Sequence, residues 1–426
     1  MAGRLSRTEI EELQAVVETG NLMAAAAKLQ EKLKSLENTP LDIAITGPSG
    51  SGKSSFVNAI LGLHDDDEGA AETGVTQKTM KPNAYPHPKL SSVTIWDLPG
   101  IGTPNFQPDK YLKQVNFNNY DFFIIMASER FTSHHTNLAQ EIQKMGKRFY
   151  YVRSKVDADL NAERRKRHFS KEKTLHKIRE DCIENLRAVG EASPQVFLLC
   201  NWELADYDFQ LLQETLENEL DAQKRHVFIL AMPNISAKIL EKKKKTLQEQ
   251  IWKQALWSCL IAAVPLPFLS VECDVNILVA NMRQYCKSFG LDDDSLKSLA
   301  KQVRKSVDEL KSEIKTPLVK DITREEALKR LREATGERMM TVKYFISVVP
   351  LIGSGIAAKR SYNITYEMLH TFLDEVTEDA QRVLKKALEG ICQHGNNLRI
   401  SARLWKPKHT GFSKGNSYPQ TATSNL

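Results

Sequence analysis

Gly47-Pro48-Ser49-Gly50-Ser51-Gly52-Lys53-Ser54 has the spacing GxxxxGK[ST]. Glycines so placed let consecutive backbone N–H groups curl around one anion, and a helix starting behind them adds a favourable dipole. The chemistry is the cradling of a polyphosphate. Lys53 is expected to reach the β- and γ-phosphates and Ser54 to place its hydroxyl on Mg2+. Ser55, next in the chain, is counted with the same nucleotide-binding group.

Three further groups fit that chemistry. Asp97-Leu98-Pro99-Gly100 follows a short apolar run, so its carboxylate falls near the magnesium and the Gly100 amide near the γ-phosphate. Ser154-Lys155-Val156-Asp157 follows another run. The Asp157 carboxylate can accept hydrogen bonds from guanine N1–H and the exocyclic amine, a pair that adenine lacks, while the Lys155 stem lies over the purine. Asp157 therefore disfavours an ATPase. A serine at 154 removes the amide side chain of the usual [NT]KxD pattern, and the neighbouring loop is expected to be held less firmly. Cys200-Asn201 ends a third run, where a base-contacting loop is expected.

Between the phosphate loop and Asp97, the stretch 70–79 reads as a switch whose threonine completes the Mg2+ shell. Thr73, Thr76 and Thr79 are candidates, with Thr79 preferred and Thr73 next. The metal set is then Ser54, Thr79 and Asp97, and the catalytic set Lys53, Thr79 and Gln77. Ile101 stands directly after Gly100, where small signalling GTPases carry a water-positioning glutamine. Isoleucine cannot orient water, so hydrolysis is expected to be slow, or helped by another residue such as Gln77 or Glu72, or completed by a partner molecule.

These residues need a scaffold. Runs at 41–46, 93–96, 122–127, 149–153 and 196–199 are apolar on both faces and alternate with helical patterns, which predicts a doubly wound, mostly parallel sheet. The stretch 79–88 holds Pro82, Pro86 and Pro88 and can form only an edge strand or a loop. On the N-terminal side, 8–36 has helical periodicity with a break at Gly20-Asn21. From about residue 235 the strand signal disappears, and Leu369, Phe372, Leu373, Val376, Ala380, Val383 and Ala387 form one apolar helical stripe.

The 426 residues allow two or three domains, and 41% hydrophobic with 26% charged residues excludes a disordered chain. Net charge of +6, from 59 basic and 53 acidic side chains, suits an anionic ligand or surface, and no nucleic acid is expected. The six cysteines form no CxxC pair and read as reduced thiols. The apolar stretch 260–271 is too short to span a bilayer, and Ala2 before Gly3 speaks against myristoylation.

With these motifs the chain resembles the immunity-related, interferon-inducible GTPases. The resemblance rests on the phosphate loop, Thr73-Gly74, Trp96-Asp97-Leu98-Pro99-Gly100-Ile101-Gly102-Thr103, Tyr151-Val152-Arg153-Ser154-Lys155-Val156-Asp157 and Val196-Phe197-Leu198-Leu199. Lys224-Arg225-His226, Pro233-Asn234-Ile235 and Val348-Val349-Pro350-Leu351-Ile352-Gly353 extend it to nearly the whole chain. It implies a Ras-like P-loop domain inserted into an all-helical domain built from both ends of the chain. The expected division is 1–38 helical, 39–222 GTP-binding, 223–405 helical and 406–426 a disordered tail. Lys53 marks the subgroup with the ordinary P-loop lysine.

The resemblance further implies GTP hydrolysis to GDP with Mg2+. It implies a homodimer or homo-oligomer formed through the G domain, and dynamin-like action in innate immunity. The expected place is the cytoplasm, peripherally on endoplasmic reticulum, Golgi or vacuole membranes. A nucleotide-gated scaffold with little turnover is the rival. Lys242 to Lys245 read as a solvated helix face or a contact for acidic lipid. Arg164-Arg165-Lys166-Arg167-His168 reads as solvated, or as a contact for lipid or a second nucleotide's phosphate. The apolar 344–358 reads equally as a membrane-dipping hairpin or as core.

Overall fold

A computed structural model of the chain describes residues 22–74, 79, 81–101, 111, 115–262, 269–335 and 354–389. Gln77, Thr76, residues 8–21, 344–353 and the 406–426 tail lie outside the described residues.

The chain enters through α1 (Leu22–Glu37), whose Ala25, Ala26, Leu29 and Leu33 are buried. It stops before Thr39-Pro40, because a residue preceding proline is pushed out of the helical region. Then come β1 (Leu41–Thr46), α2 (Lys53–Leu61), β2 (Asn83–His87), β3 (Leu90–Asp97), β4 (Phe122–Ala127), α3 (Ser133–Lys144), β5 (Phe149–Arg153), α4 (Val156–Glu163), α5 (Lys171–Ala188), β6 (Val196–Leu198), α6 (Phe209–Glu219) and α7 (Ala222–Ala231).

The strands form one sheet in the order β2-β3-β1-β4-β5-β6. Only β2 runs antiparallel, pairing with β3 at the edge. Pro86 is tolerated there because an edge strand needs no second row of hydrogen bonds. The run at 93–96 proves longer than its apolar residues, since Ser91 and Ser92 extend β3 back to Leu90 beside β2.

Alternation decides what each face buries. On β4, Phe122, Ile124 and Met126 join a cluster with Phe56, Val57 and Ile60 of α2 and Phe209 and Leu212 of α6. Phe123, Ile125 and Ala127 point the other way, to Leu138 and Ile142 of α3 and Leu186 of α5. Both faces are covered, which is why β4 has no polar residue.

The helical part follows as α8 (Ala237–Ala262), α9 (Leu269–Phe289), α10 (Asp293–Val303), two short helical turns, α11 (Arg324–Thr335) and α12 (Ser354–Leu388). The stripe from Leu369 to Ala387 is buried as expected, packed with Leu247 and Ile251 of α8 and Leu278 and Met282 of α9. Helix α8 packs mainly on α12 and also on α9 and α1, so both ends of the chain share one helical layer. A Ras-like, mostly parallel sheet thus interrupts a helical unit.

The hairpin β2–β3 reaches that unit. His87 Nε2 lies 2.9 Å from the Ala231 carbonyl oxygen, and the Lys89 ammonium donates to the Lys287 carbonyl at 2.9 Å. The run Lys242 to Lys245 is neither a lipid patch nor a plain solvated face. Lys243 is buried and donates to the Ser288 carbonyl at 3.0 Å, while Lys242 pairs with Glu217 at 2.6 Å and Lys244 with Asp374 at 2.9 Å. Arg164 to His168 are all exposed, with Lys166 paired to Glu163. Among the described residues, no helix is long and apolar enough to cross a membrane.

Candidate functional site

Strand β1 lies at the point where the sheet order reverses, with β3 on one side and β4 on the other. In open α/β sheets the crevice beyond the strand ends at that point is where ligands bind. The loop 47–52 leaves β1 there and turns into α2.

Gly47 has φ +142, and a Cβ there would stand 2.0 Å from the Met126 carbonyl oxygen. Only glycine lets the loop pass β4 so closely. Gly52, with φ +87, is the N-cap of α2.

What holds the loop is a set of donors on its carbonyl oxygens. The Lys53 ammonium donates to Gly47 O at 3.2 Å and Pro48 O at 3.0 Å. Lys155 Nζ donates to Gly50 O at 2.8 Å, Ser154 Oγ to Ser51 O at 2.6 Å, and Asn201 Nδ2 to Gly52 O at 2.8 Å. In a trans peptide the C=O and N–H point in opposite directions. Holding the Ser51 and Gly52 carbonyls toward Ser154 and Asn201 therefore turns the Gly52 and Lys53 N–H groups the other way, where an anion is stabilised, while the Ser51 N–H closes a turn onto Pro48 O at 3.3 Å.

The loop is thus held firmly through Ser154, contrary to the sequence-based expectation. The Ser154 hydroxyl is fully buried and replaces the absent amide with a short bond to Ser51 O, the Ala127 carbonyl lying further off at 3.2 Å. Lys155 takes the left-handed conformation, φ 56, at the start of α4, which brings its amine over the loop. Asn201 is an anchor of the loop as well as its neighbour, and its Oδ1 is buried without a partner. Asp157 follows within the first turn of α4. The Cys200 thiol is pushed up to about 12 by burial first, with the nearby Asp157 carboxylate adding to it.

At the other end of the loop, the chain after β3 runs along the P-loop. Leu98 N–H donates to Ile45 O at 3.0 Å and Ile101 N–H to Gly47 O at 3.0 Å. The Ile101 side chain is buried among Leu98, Tyr111 and Val115, so it serves packing. Gly100 lies against Ser49, where an added Cβ would be 3.0 Å from the Ser49 nitrogen.

Asp97 is 1% exposed. Its Oδ2 accepts from Ser54 Oγ at 2.6 Å and Thr79 Oγ1 at 3.0 Å, while Oδ1 is buried with no partner. Burial raises the Asp97 pKa, opposed by Ser54, the Lys53 charge and Thr79; burial lowers that of Lys53, opposed by Asp97. A bound cation would resolve this frustration. Two hydroxyls and a carboxylate with a spare oxygen are hard ligands of the kind Mg2+ takes, so the residues fit that ion.

Thr79 thus joins the cluster. Thr73 makes none of the described hydrogen bonds with it, and Ser55 lies half-buried on α2. Sequence reasoning passed over Thr46 and Tyr111, whose hydroxyls lie 3.0 Å apart beneath this site. Tyr111 is separated in sequence from every motif, so no local signal marks it.

The interferon-inducible GTPase family model matches residues 6–387.

The chain belongs to that family.

Among curated relatives, interferon-inducible GTPase 5 of Bos taurus is 45% identical over 387 residues, 90% of this chain and 83% of the relative. Interferon-gamma-inducible GTPase 10 of Mus musculus is 37% identical over 384 residues, 90% of each chain. Interferon-inducible GTPase 1 of Mus musculus is 37% identical over 370 residues, 86% of this chain and 87% of the relative. Family membership makes GTP the nucleotide and GTP hydrolysis the activity to be accounted for, in an immunity-related setting.

Proposed function

We propose that the loop 47–54 binds guanine nucleotide with Mg2+ and that the chain hydrolyses GTP to GDP and phosphate. The observation that supports this most is the capping of the Ser51 and Gly52 carbonyls by Ser154 and Asn201, which turns the Gly52 and Lys53 N–H groups toward one anion beside the Lys53 ammonium. Lys53 exchanges its carbonyl partners for phosphate oxygens. Ser54, Thr79 and Asp97 would hold Mg2+, which when bound neutralises charge developing on the phosphates. Gly100 N–H meets the γ-phosphate. Asp157 reads guanine, Lys155 covers the purine, and Cys200 and Asn201 close the base side. Thr73 and Gln77 remain proposed switch residues, with Gln77 positioning water.

The domain division at about 38, 222 and 405 is part of this reading. So are dynamin-like self-assembly through the G domain, faster turnover on dimerisation, and peripheral action at intracellular membranes. The buried Ile101 supports help from a second molecule, because no side chain at that position reaches water. The same observation favours a second reading, a nucleotide-gated scaffold that hardly turns GTP over.

Turnover per molecule, measured against protein concentration, separates the two. A specific activity that rises with concentration supports catalysis across a dimer, and a flat, near-zero rate supports the scaffold. Lys53→Ala should abolish tight GTP binding; retained micromolar affinity would rule out the loop as the phosphate site. Asp157→Asn should shift preference toward xanthine nucleotide.

A further inference from the structure

Beneath the proposed phosphate site runs a short hydrogen-bond chain. The Tyr111 hydroxyl donates to the Pro99 carbonyl at 2.9 Å. A carbonyl can only accept, so the single phenolic proton is committed there. The Thr46 hydroxyl, 3.0 Å from the Tyr111 oxygen, is then the donor to it. Thr46 is fully buried and Tyr111 is 7% exposed, so water does not compete for their mutual bond, and the bond to the half-buried Pro99 lies at its edge. Burial also holds the Tyr111 phenol far above its usual pKa, keeping it a protonated donor.

The acceptor is what matters. Pro99 C=O and Gly100 N–H belong to one trans peptide and point in opposite directions. Pinning the carbonyl toward Tyr111 turns the N–H the other way. Gly100 itself lies against Ser49 of the phosphate loop, and none of the described backbone hydrogen bonds uses its N–H. Thr46 is the last residue of β1, directly before Gly47, so the chain ties the start of the loop to the turn after β3. Linked bonds of this kind polarise and stiffen one another in a dry interior.

We propose that Tyr111, oriented by Thr46, is the positioning residue that aims the Gly100 N–H at the terminal phosphate, so that the site distinguishes GTP from GDP. The proposal rests on the nucleotide reading above. A diphosphate ends short of Gly100 and is indifferent to the peptide's orientation. A triphosphate reaches it. Loss of the Tyr111 hydroxyl frees the peptide to rotate, and the free energy lost falls on the triphosphate state.

The test is Tyr111→Phe in the full chain, with Thr46→Val and Thr46→Ser beside it, read by calorimetry with GDP and with an imido-bridged GTP analogue. Tyr111→Phe should weaken the analogue about 3- to 10-fold, the range of one net hydrogen bond, and change GDP by less than about 2-fold. Single-turnover hydrolysis at subsaturating GTP should slow by the same factor as analogue binding. Thr46→Val should act in the same direction, and Thr46→Ser, which keeps the hydroxyl, should restore wild-type behaviour. Equal weakening of GDP and analogue would mean general support of the fold, and no change in either would mean an idle hydroxyl; both overturn the proposal. Failure of the wild-type chain to bind GDP would instead remove the nucleotide reading beneath it.

Discussion

The Ser154 hydroxyl stands 2.6 Å from the carbonyl oxygen of Ser51, joining the loop after β5 to the middle of the phosphate loop across 103 positions of sequence. The bond is buried and has no water to replace it. Ser154→Ala should therefore leave a buried carbonyl short of its donor, at a cost of about 1–3 kcal/mol. The expected outcome is GTP affinity reduced on the order of tenfold by calorimetry, with thermal stability lowered by a few degrees. Unchanged affinity would mean that Lys155 and Asn201 hold the loop without it.

Gly47→Ala should be far more damaging. The new methyl would sit 2.0 Å from Met126 O, and that oxygen belongs to a central strand that cannot move aside. A loss of more than about 2 kcal/mol is expected from the strained φ and the overlap together. Chemical denaturation reads it as a lowered midpoint. Gly50→Ala separates the two effects, because φ +78 there carries the backbone strain while nothing lies within 4 Å of its Cβ position, so it should cost less than Gly47→Ala.

Three histidines set an acid limit. Burial, with the Lys243 and Lys89 charges, lowers His87 to about 3; burial, with His134 and Arg153, lowers His135 to about 4; burial, with Lys253, lowers His226 to about 4. Each folded pKa lies below the unfolded value of 6.5. Their stabilising contribution is therefore complete above about pH 6.5 and is lost as pH falls toward 3–4. Each histidine contributes a slope of up to about 1.4 kcal/mol per pH unit in that window. The melting temperature should drop between pH 7 and pH 5, and His226→Gln should flatten the dependence. A melting temperature flat across that range would contradict neutral, buried imidazoles.

Lys243 is a buried amine whose pKa falls well below 10.5, through burial first and the Lys89 charge second. Depression of the folded value means that its contribution is complete only above about pH 10.5 and shrinks as pH falls. At pH 7 it is a liability. Lys243→Met keeps the volume and removes the amine, while Ser288 O retains Asn234 Nδ2 at 3.2 Å. The variant should unfold at equal or higher urea than wild type at pH 7, with a flatter profile from pH 7 to 9. A lower midpoint would show that the bond to Ser288 outweighs the buried amine.

Much of this protein is legible in its sequence because the signals are local. Alternation and continuous apolar runs placed 41–46, 122–127 and 149–153 on strands whose bounds the structure repeats. The apolar stripe from Leu369 to Ala387 lies on one long helix for the same reason, since 3.6-residue periodicity needs no knowledge of partners. GxxxxGK[ST], DxxG and KxD each depend on a few adjacent residues, so they too survive in one dimension.

What tertiary structure decided is everything that depends on partners distant in sequence. Thr79 stands out from Thr73 because its hydroxyl meets Asp97, 18 positions away. Lys243 is buried because α9 ends against it, although its neighbours in a run of four lysines suggested water. Ser154 anchors the loop that its residue type suggested it would loosen, because folding brings Ser51 O within reach of a short hydroxyl. Tyr111 acquires a role only through Thr46 and Pro99. Periodicity records which way a side chain faces; a hydrogen bond depends on where its partner ends up, and only the folded chain supplies that.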